Sequence, residues 1–342
     1  MKNLFRRYPF VGLILIAALI PLLEMVLPKS LHFADALRPI IIFAILGLGL
    51  NIITGFCGML HLGVAGLMAV GAYGFAILTC DIYPFQIGFF LGLVTVTISG
   101  MVIGTLLALP TMRLTGDYLA IVTLGFGEII QNLLRNMESI TKGTQGINPL
   151  PHPMAFGIDF MSWNGLPWFY LLLILLALVA FVSSHLEHSR IGRAWSAISE
   201  DELAASCMGI PLAKMKLMAV AIGSGICALA GALWASYLGS SGEPGNYDFQ
   251  VSVVVLCVLI VGGLGSITGI LIGALLVVGF NSIFLVQISN LLARYGISGS
   301  GNVMLSPNNW KFMVFGFALI IMMRCKPDGL WARKLTDLNG KE

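Results

Sequence analysis

His185 and His188 stand three residues apart in the segment HLEH, with Glu187 between them. Two imidazoles at that spacing on a helix can share a metal ion, but a site needs a third or fourth ligand and the neighbouring sequence supplies none. They read instead as an interfacial cluster whose rings reach out of an apolar helix. Gly239-Ser240-Ser241-Gly242 has the G-x-S-G pattern of an intramembrane serine nucleophile. That chemistry needs a histidine base, and no histidine follows His188. The six cysteines show neither C-x-x-C nor metal-ligand spacing and read as small packing residues.

The remaining chemistry is that of passage through an apolar medium. Glu128, Gln131, Asn132 and Arg135 fall at i, i+3, i+4 and i+7, on one face of a helix. Polar groups at membrane depth are costly, so this face reads as the lining of a water-filled cavity open to the outside. Asn51 lies in LGLNIITGFCGMLHLGVAG, where Gly55, Gly58 and Gly63 predict an interrupted helix, a feature that often surrounds transport sites. His61 follows at the end of that stretch and reads as an interfacial residue, of a type that ordinarily titrates near neutrality. Asn51, His61, Thr123, Glu128 and Gln131 are the candidate path residues.

The elements that must position these groups are membrane helices. Of 342 residues, 58% are hydrophobic and 10% charged, and the mean hydropathy is +0.93. A soluble domain carries about 25% charged residues, so the chain reads as an all-α polytopic membrane protein. A net charge of +3 without a basic stripe excludes a nucleic-acid partner. Stretches 9–27, 38–56, 62–80, 85–109, 118–135, 166–184, 217–238, 249–263, 269–288 and 310–324 are apolar enough to predict about ten spans. The first is too long for a cleaved signal and reads as retained. With both termini in the cytoplasm, thirteen of the nineteen Lys and Arg lie on the inner side, as the positive-inside rule requires. Residues 185–216 are then a cytoplasmic loop and 136–165 the large outer loop of a single transmembrane domain, residues 1–342. The pairs Gly100/Gly104 and Gly265/Gly269/Gly273 are spaced for close helix contact, and Gly71/Gly74 form a closer pair.

The polar island at 185–216 is the anomaly in this pattern. Arg190–Gly209 predicts one or two short amphipathic helices, with Ile191, Trp195, Ile198, Ala205 and Met208 on the apolar face and Gly209 as the C-terminal cap. Pro211 ends the run. Interfacial anchors favour basic polar faces, whereas this one carries Glu200-Asp201-Glu202, so it reads as a helix that docks into a protein groove.

Glu202-Leu203-Ala204-Ala205 followed by Gly209 resembles the E-A-A-x-x-x-G loop of ABC-importer permeases. GDYLAIVTLGFGEII (116–130), GRAWSAISEDELAASCMGI (192–210), GALWA (231–235), VGGLGSITGILIGALL (261–276) and KPDGL (326–330) resemble the branched-chain amino acid permease family over about residues 40–330. Where that family usually has Gly-Gln-Leu-Ser-Leu-Gly, this chain has Met59 and His61 in place of Gln and Ser, and Ile-x-Leu-Pro is absent after Gly209.

The resemblance implies a heterodimer with a homologous second permease, two cytosolic ATPase subunits that carry ATP and Mg, a periplasmic substrate-binding protein, and location in the bacterial inner membrane. It implies ATPase coupling by Arg193, Glu200, Asp201, Glu202, Ala204, Ala205 and Gly209, transport of aliphatic amino acids, and in a sister branch urea and short amides. The chain has no G-x-x-x-x-G-K-[ST] of its own to hold ATP, and no resident metal or cofactor is expected. An ion-coupled carrier is the rival reading. It needs intramembrane ionisable groups, for which only Glu24 and Glu128 qualify.

Overall fold

The computed structural model describes residues 9–24, 33–113, 116–150, 154–155, 158–159, 165–285, 287, 311–326 and 329–331. Its helices are α1 (Pro9–Glu24), α2 (Phe33–Leu50), α3 (Val64–Thr79), α4 (Phe89–Ala108), α5 (Asp117–Asn136), α6 (Glu138–Thr141), α7 (Leu166–His188), α8 (Arg190–Glu200), α9 (Glu202–Cys207), α10 (Leu212–Leu238), α11 (Phe249–Gly262), α12 (Ile267–Gly279) and α13 (Lys311–Cys325). One antiparallel pair, Met154–Ala155 with Ile158–Asp159, is the only strand structure among the described residues. Every apolar stretch named above contains a helix.

Among the described residues, five helical stretches are long and apolar enough to cross a membrane: Ala36–Phe56, Phe89–Met112, Leu166–His188, Leu212–Leu238 and Pro244–Gly262. Phe10–Leu19, Val64–Thr79 and Ile267–Ser282 are apolar but shorter. The sequence of α5 loses apolar character over its second half, at the stripe from Glu128 to Arg135. The predicted interruption at Asn51 takes another form: α2 continues into a π-helical turn, Asn51–Phe56, before the chain leaves the helix at Cys57.

α10 is the axis of the bundle and packs against α4, α3 and α2. Small residues permit this. A Cβ on Gly100 would collide with the Ala228 methyl, and one on Gly104 with the Ser224 side chain. On the α3 side, a Cβ at Gly71 would strike the Ala228 carbonyl and one at Gly231 the Met68 carbonyl. Gly74, by contrast, would meet only a Val96 methyl at 3.7 Å. α11 and α12 approach through Gly262, Gly269 and Gly273 in the same way. In hydrocarbon no hydrophobic force draws helices together, so van der Waals contact between close backbones must hold the bundle.

The opposite faces are apolar and exposed. On α4, Leu91, Val94, Ile98, Val102 and Leu106 point outward while Leu93, Val96, Gly100 and Gly104 are buried. An outward stripe of large apolar groups at helical spacing is what lipid contact requires.

At the end of the bundle far from the island, two loops are stapled together. Ile147 N donates to Ser241 Oγ at 2.8 Å, Leu150 N to the Gly239 carbonyl at 2.9 Å, and the hydroxyls of Tyr73 and Tyr247 to the carbonyls of Gly242 and Ser241, each at 2.7 Å. Ser241 is fully buried in this knot. The G-x-S-G sequence is therefore a turn lock rather than a nucleophile.

Candidate functional site

The island folds as two helices on a braced platform. Ser189 caps α8, its hydroxyl accepting from the backbone of Ile191 and Gly192 at 3.2 and 3.1 Å. Asp201 breaks the run and caps α9, its Oδ1 accepting from Leu203 N at 2.8 Å and Ala204 N at 3.0 Å. Such caps satisfy amides that a helix start leaves without partners. Trp195 is fully buried and its indole N–H donates to the Met215 carbonyl at 2.8 Å, which clamps α8 to the first turn of α10. Removing a buried indole costs about 3–5 kcal/mol. Gly209 closes the pair at φ +83°, the left-handed conformation glycine tolerates best.

Of the predicted apolar face, Trp195, Ile198 and Ala205 are buried and Ile191 is half-buried. Met208 is different: it is 83% exposed, and Leu203 is 74% exposed. The break at Asp201 interrupts the helical period, so α9 presents these two groups outward, next to exposed Glu200 and Asp201. Glu202 is held within the chain by an ion pair with Lys216 at 2.7 Å, and the Lys216 side chain is itself buried. The Arg193 guanidinium donates to the His188 carbonyl at 3.2 Å. Ala204 and Gly209 are exposed, whereas Ala205 is packed beneath α9. Nδ1 of His185 lies 3.2 Å from the Phe181 carbonyl and Nδ1 of His188 lies 2.9 Å from that of Ser184, so each ring is tied to its own helix.

The candidate path residues divide. His61 and Thr123 line one small cavity with Ile53, Met59, Leu67, Leu107 and Val220. Thr123 Oγ1 accepts from Leu62 N at 3.0 Å. Burial pushes the His61 imidazole down to about 4, so it is neutral at physiological pH. Asn51 is fully buried and its Oδ1 accepts from Gly265 N at 2.9 Å. Gln131 is buried and donates to the Pro244 carbonyl at 3.1 Å, tying α5 to the far loop. Asn132 donates to the Glu128 carbonyl. Glu128 is half-buried, on the same helix as Thr123 and just over a turn beyond it. The stripe on α5 is thus part structural and part available to a cavity.

Sequence reasoning missed Lys216 and Ser199 and placed Gly265 wrongly. Lys216 was visible as a charge just inside an apolar helix, whereas Ser199 carries no signal of its own. Gly265 has the spacing of a helix-contact glycine with Gly269 and Gly273, but it lies at φ +77° in the turn before α12, where its N–H donates to Asn51, and Gly262 takes its place against α12.

A bundle of apolar helices with lipid-facing stripes, carrying a capped helix pair at one end, defines a multi-pass membrane permease. The chain belongs to the family described as branched-chain amino acid transport system / permease component, which matches residues 33–323. It is 34% identical over 310 residues to the high-affinity branched-chain amino acid transport system permease protein LivM of Escherichia coli, covering 84% of this chain and 67% of that one. A probable LivM of Methanocaldococcus jannaschii is 26% identical over 71% of this chain and 68% of its own. The Escherichia coli permease LivH is 24% identical over 68% of this chain and 79% of its own. These relatives are transport subunits rather than enzymes. No solved structure matches.

Proposed function

We propose that the chain is the transmembrane permease subunit of an ATP-driven ABC importer for branched-chain or related aliphatic amino acids. In this reading it crosses the bacterial inner membrane about ten times with both termini in the cytoplasm. It pairs with a homologous permease, and two cytosolic ATPases and a periplasmic binding protein complete the machine. Similarity to both LivM and LivH supports the pairing of two related permeases.

The observation that carries the proposal is the outward pair Leu203 and Met208 on a platform that Trp195 and the Glu202–Lys216 ion pair hold in place. Large apolar groups at 74% and 83% exposure, beside two carboxylates, are anchors for a groove rather than for lipid. ATPase closure would move this helix pair and, through it, the helices around a central path, with Glu128 on the exposed part of the α5 face.

Two measurements bear on this. Radiolabelled leucine should accumulate in vesicles holding the assembled transporter and binding protein, and excess unlabelled urea should leave it unchanged. Competition by urea and none by isoleucine would replace the amino acid with a small amide as cargo. Separately, with exposed Cys207 and Cys325 replaced, Glu128→Cys should react with a membrane-impermeant thiol reagent added from outside. Gln131→Cys, whose parent side chain is buried, should react at least roughly tenfold more slowly, since reaction tracks exposure. Equal labelling would remove the cavity from this face.

A further inference from the structure

In the proposed reading the exposed tip of α9 faces a partner, while a second contact on α8 faces the membrane helices. Gly58 follows the π-helical turn of α2 at φ +74°, and a Cβ there would lie 2.9 Å from Ser199 Cβ and 3.1 Å from Ser199 Cα. α8 touches the π-helical turn itself. That turn leads in two directions. Its first residue, Asn51, is bonded to Gly265 in the turn between α11 and α12, and Gly55 lies against the same backbone. Beyond Gly58 the chain runs through His61 to Leu62 and Gly63, which rest on Thr123 of α5.

The turn is also not fully satisfied. Asn51 Nδ2 and Thr54 Oγ1 are buried without a hydrogen-bond partner. A buried polar atom left unpaired raises the energy of the arrangement that leaves it so. π-Helical turns, rare elsewhere, recur at functional sites.

We infer that the π-helical turn Asn51–Phe56 is the element through which displacement of α8 reaches α5 and the α11–α12 turn, with Gly58 and Ser199 as the positioning contact. The inference rests on the proposed ATP-driven reading. α8 sits against Gly58 with no room for a side chain, so a push on the helix pair is passed to the turn rather than absorbed by a gap. Two unpaired groups within one six-residue turn leave it little to lose by rearranging.

The test is the ratio of leucine imported to ATP hydrolysed by the complete transporter in vesicles. Gly58→Ala should lower that ratio at least tenfold while the complex still assembles and hydrolyses ATP. Adding Ser199→Gly, which removes the nearer of the two atoms the new methyl meets and leaves only Ser199 Cα at 3.1 Å, should restore it to within about threefold of the parent. Gly239→Ala introduces the same left-handed strain, at φ +65° with nothing within 4 Å, and should leave the ratio unchanged. If Gly58→Ala does not assemble, Ser199→Leu on the exposed side of the contact delivers the same wedge. An unchanged ratio in the wedge variant, or loss without rescue by Ser199→Gly, overturns the inference. Absence of ATP-dependent uptake in the parent transporter overturns the underlying reading instead.

Discussion

Glu202→Lys should abolish uptake in the assembled transporter, and the double swap Glu202→Lys with Lys216→Glu should recover a substantial part of it. The parent carboxylate lies 2.7 Å from the buried Lys216 ammonium. Reversing one sign leaves two cations together at the root of α9, one of them removed from water. Breaking a fully buried pair in this way costs about 3–5 kcal/mol; here the Glu202 side chain is 41% exposed, so water screens part of that and the cost is smaller. The like charges nonetheless act at the contact that seats α9 on α10. The double swap restores opposite charges at the same distance. Recovery in uptake assays therefore marks Glu202 as an internal brace that holds Leu203 and Met208 in their outward position. Full loss in the swap, with normal membrane levels, would place Glu202 in direct contact with the ATPase. Gly209→Pro should fail in either case, because proline fixes φ near −65° and Gly209 needs +83°.

Gly231→Val should prevent the bundle from assembling. The position is in the buried centre of α10, and even a single Cβ would collide with the Met68 carbonyl of α3. Neither backbone can yield without opening the interface that also holds Gly71 against Ala228. Overpacking ordinarily costs about 1–3 kcal/mol where side chains can shift, and backbone against backbone leaves less room for that. The measurement is the yield of monodisperse protein after extraction, expected to fall by at least roughly tenfold, the change that about 1.4 kcal/mol produces. Gly74→Ala is the comparison: it adds a single Cβ one helical turn from Gly71, with only Val96 at 3.7 Å, and should express as the parent does.

The two glycines show how much could be read from the chain alone. Spacing marked Gly71 and Gly74 as a pair, but only Gly71 meets a backbone, because a helix face is wider than the partner crossing it. Gly100 and Gly104 do both face α10, since i, i+4 residues lie along one ridge. The helix positions themselves were legible, because hydropathy and span length act locally and strongly. The π-helical turn was not. Glycines signalled an interruption near Asn51, yet the form it takes depends on a hydrogen bond to a residue 214 positions away.

The island shows the same division. Its two helices and the closing glycine follow from local capping chemistry at Ser189, Asp201 and Gly209. Three-residue spacing from Ala205 puts Met208 on the apolar face in the sequence, yet Met208 lies just past the end of α9 and is exposed. The cap at Asp201 starts a new helix with its own phase, and that helix stops short of Met208. Of the polar stripe on α5, spacing identified a common face. It could not distinguish Gln131, spent on the Pro244 carbonyl, from the half-buried Glu128.

The central claim is that the helix pair α8–α9 makes transport depend on an external ATPase. It is tested most directly by leucine uptake into vesicles containing this chain with the proposed partner permease, ATPases and binding protein, with ATP supplied or withheld at the ATPase side. The account predicts accumulation only with hydrolysable ATP, unaffected by a protonophore, and lost in Leu203→Asp with Met208→Asp although both proteins reach the membrane. Uptake that continues without ATP and collapses with the protonophore would contradict it, and would make the chain an ion-coupled carrier.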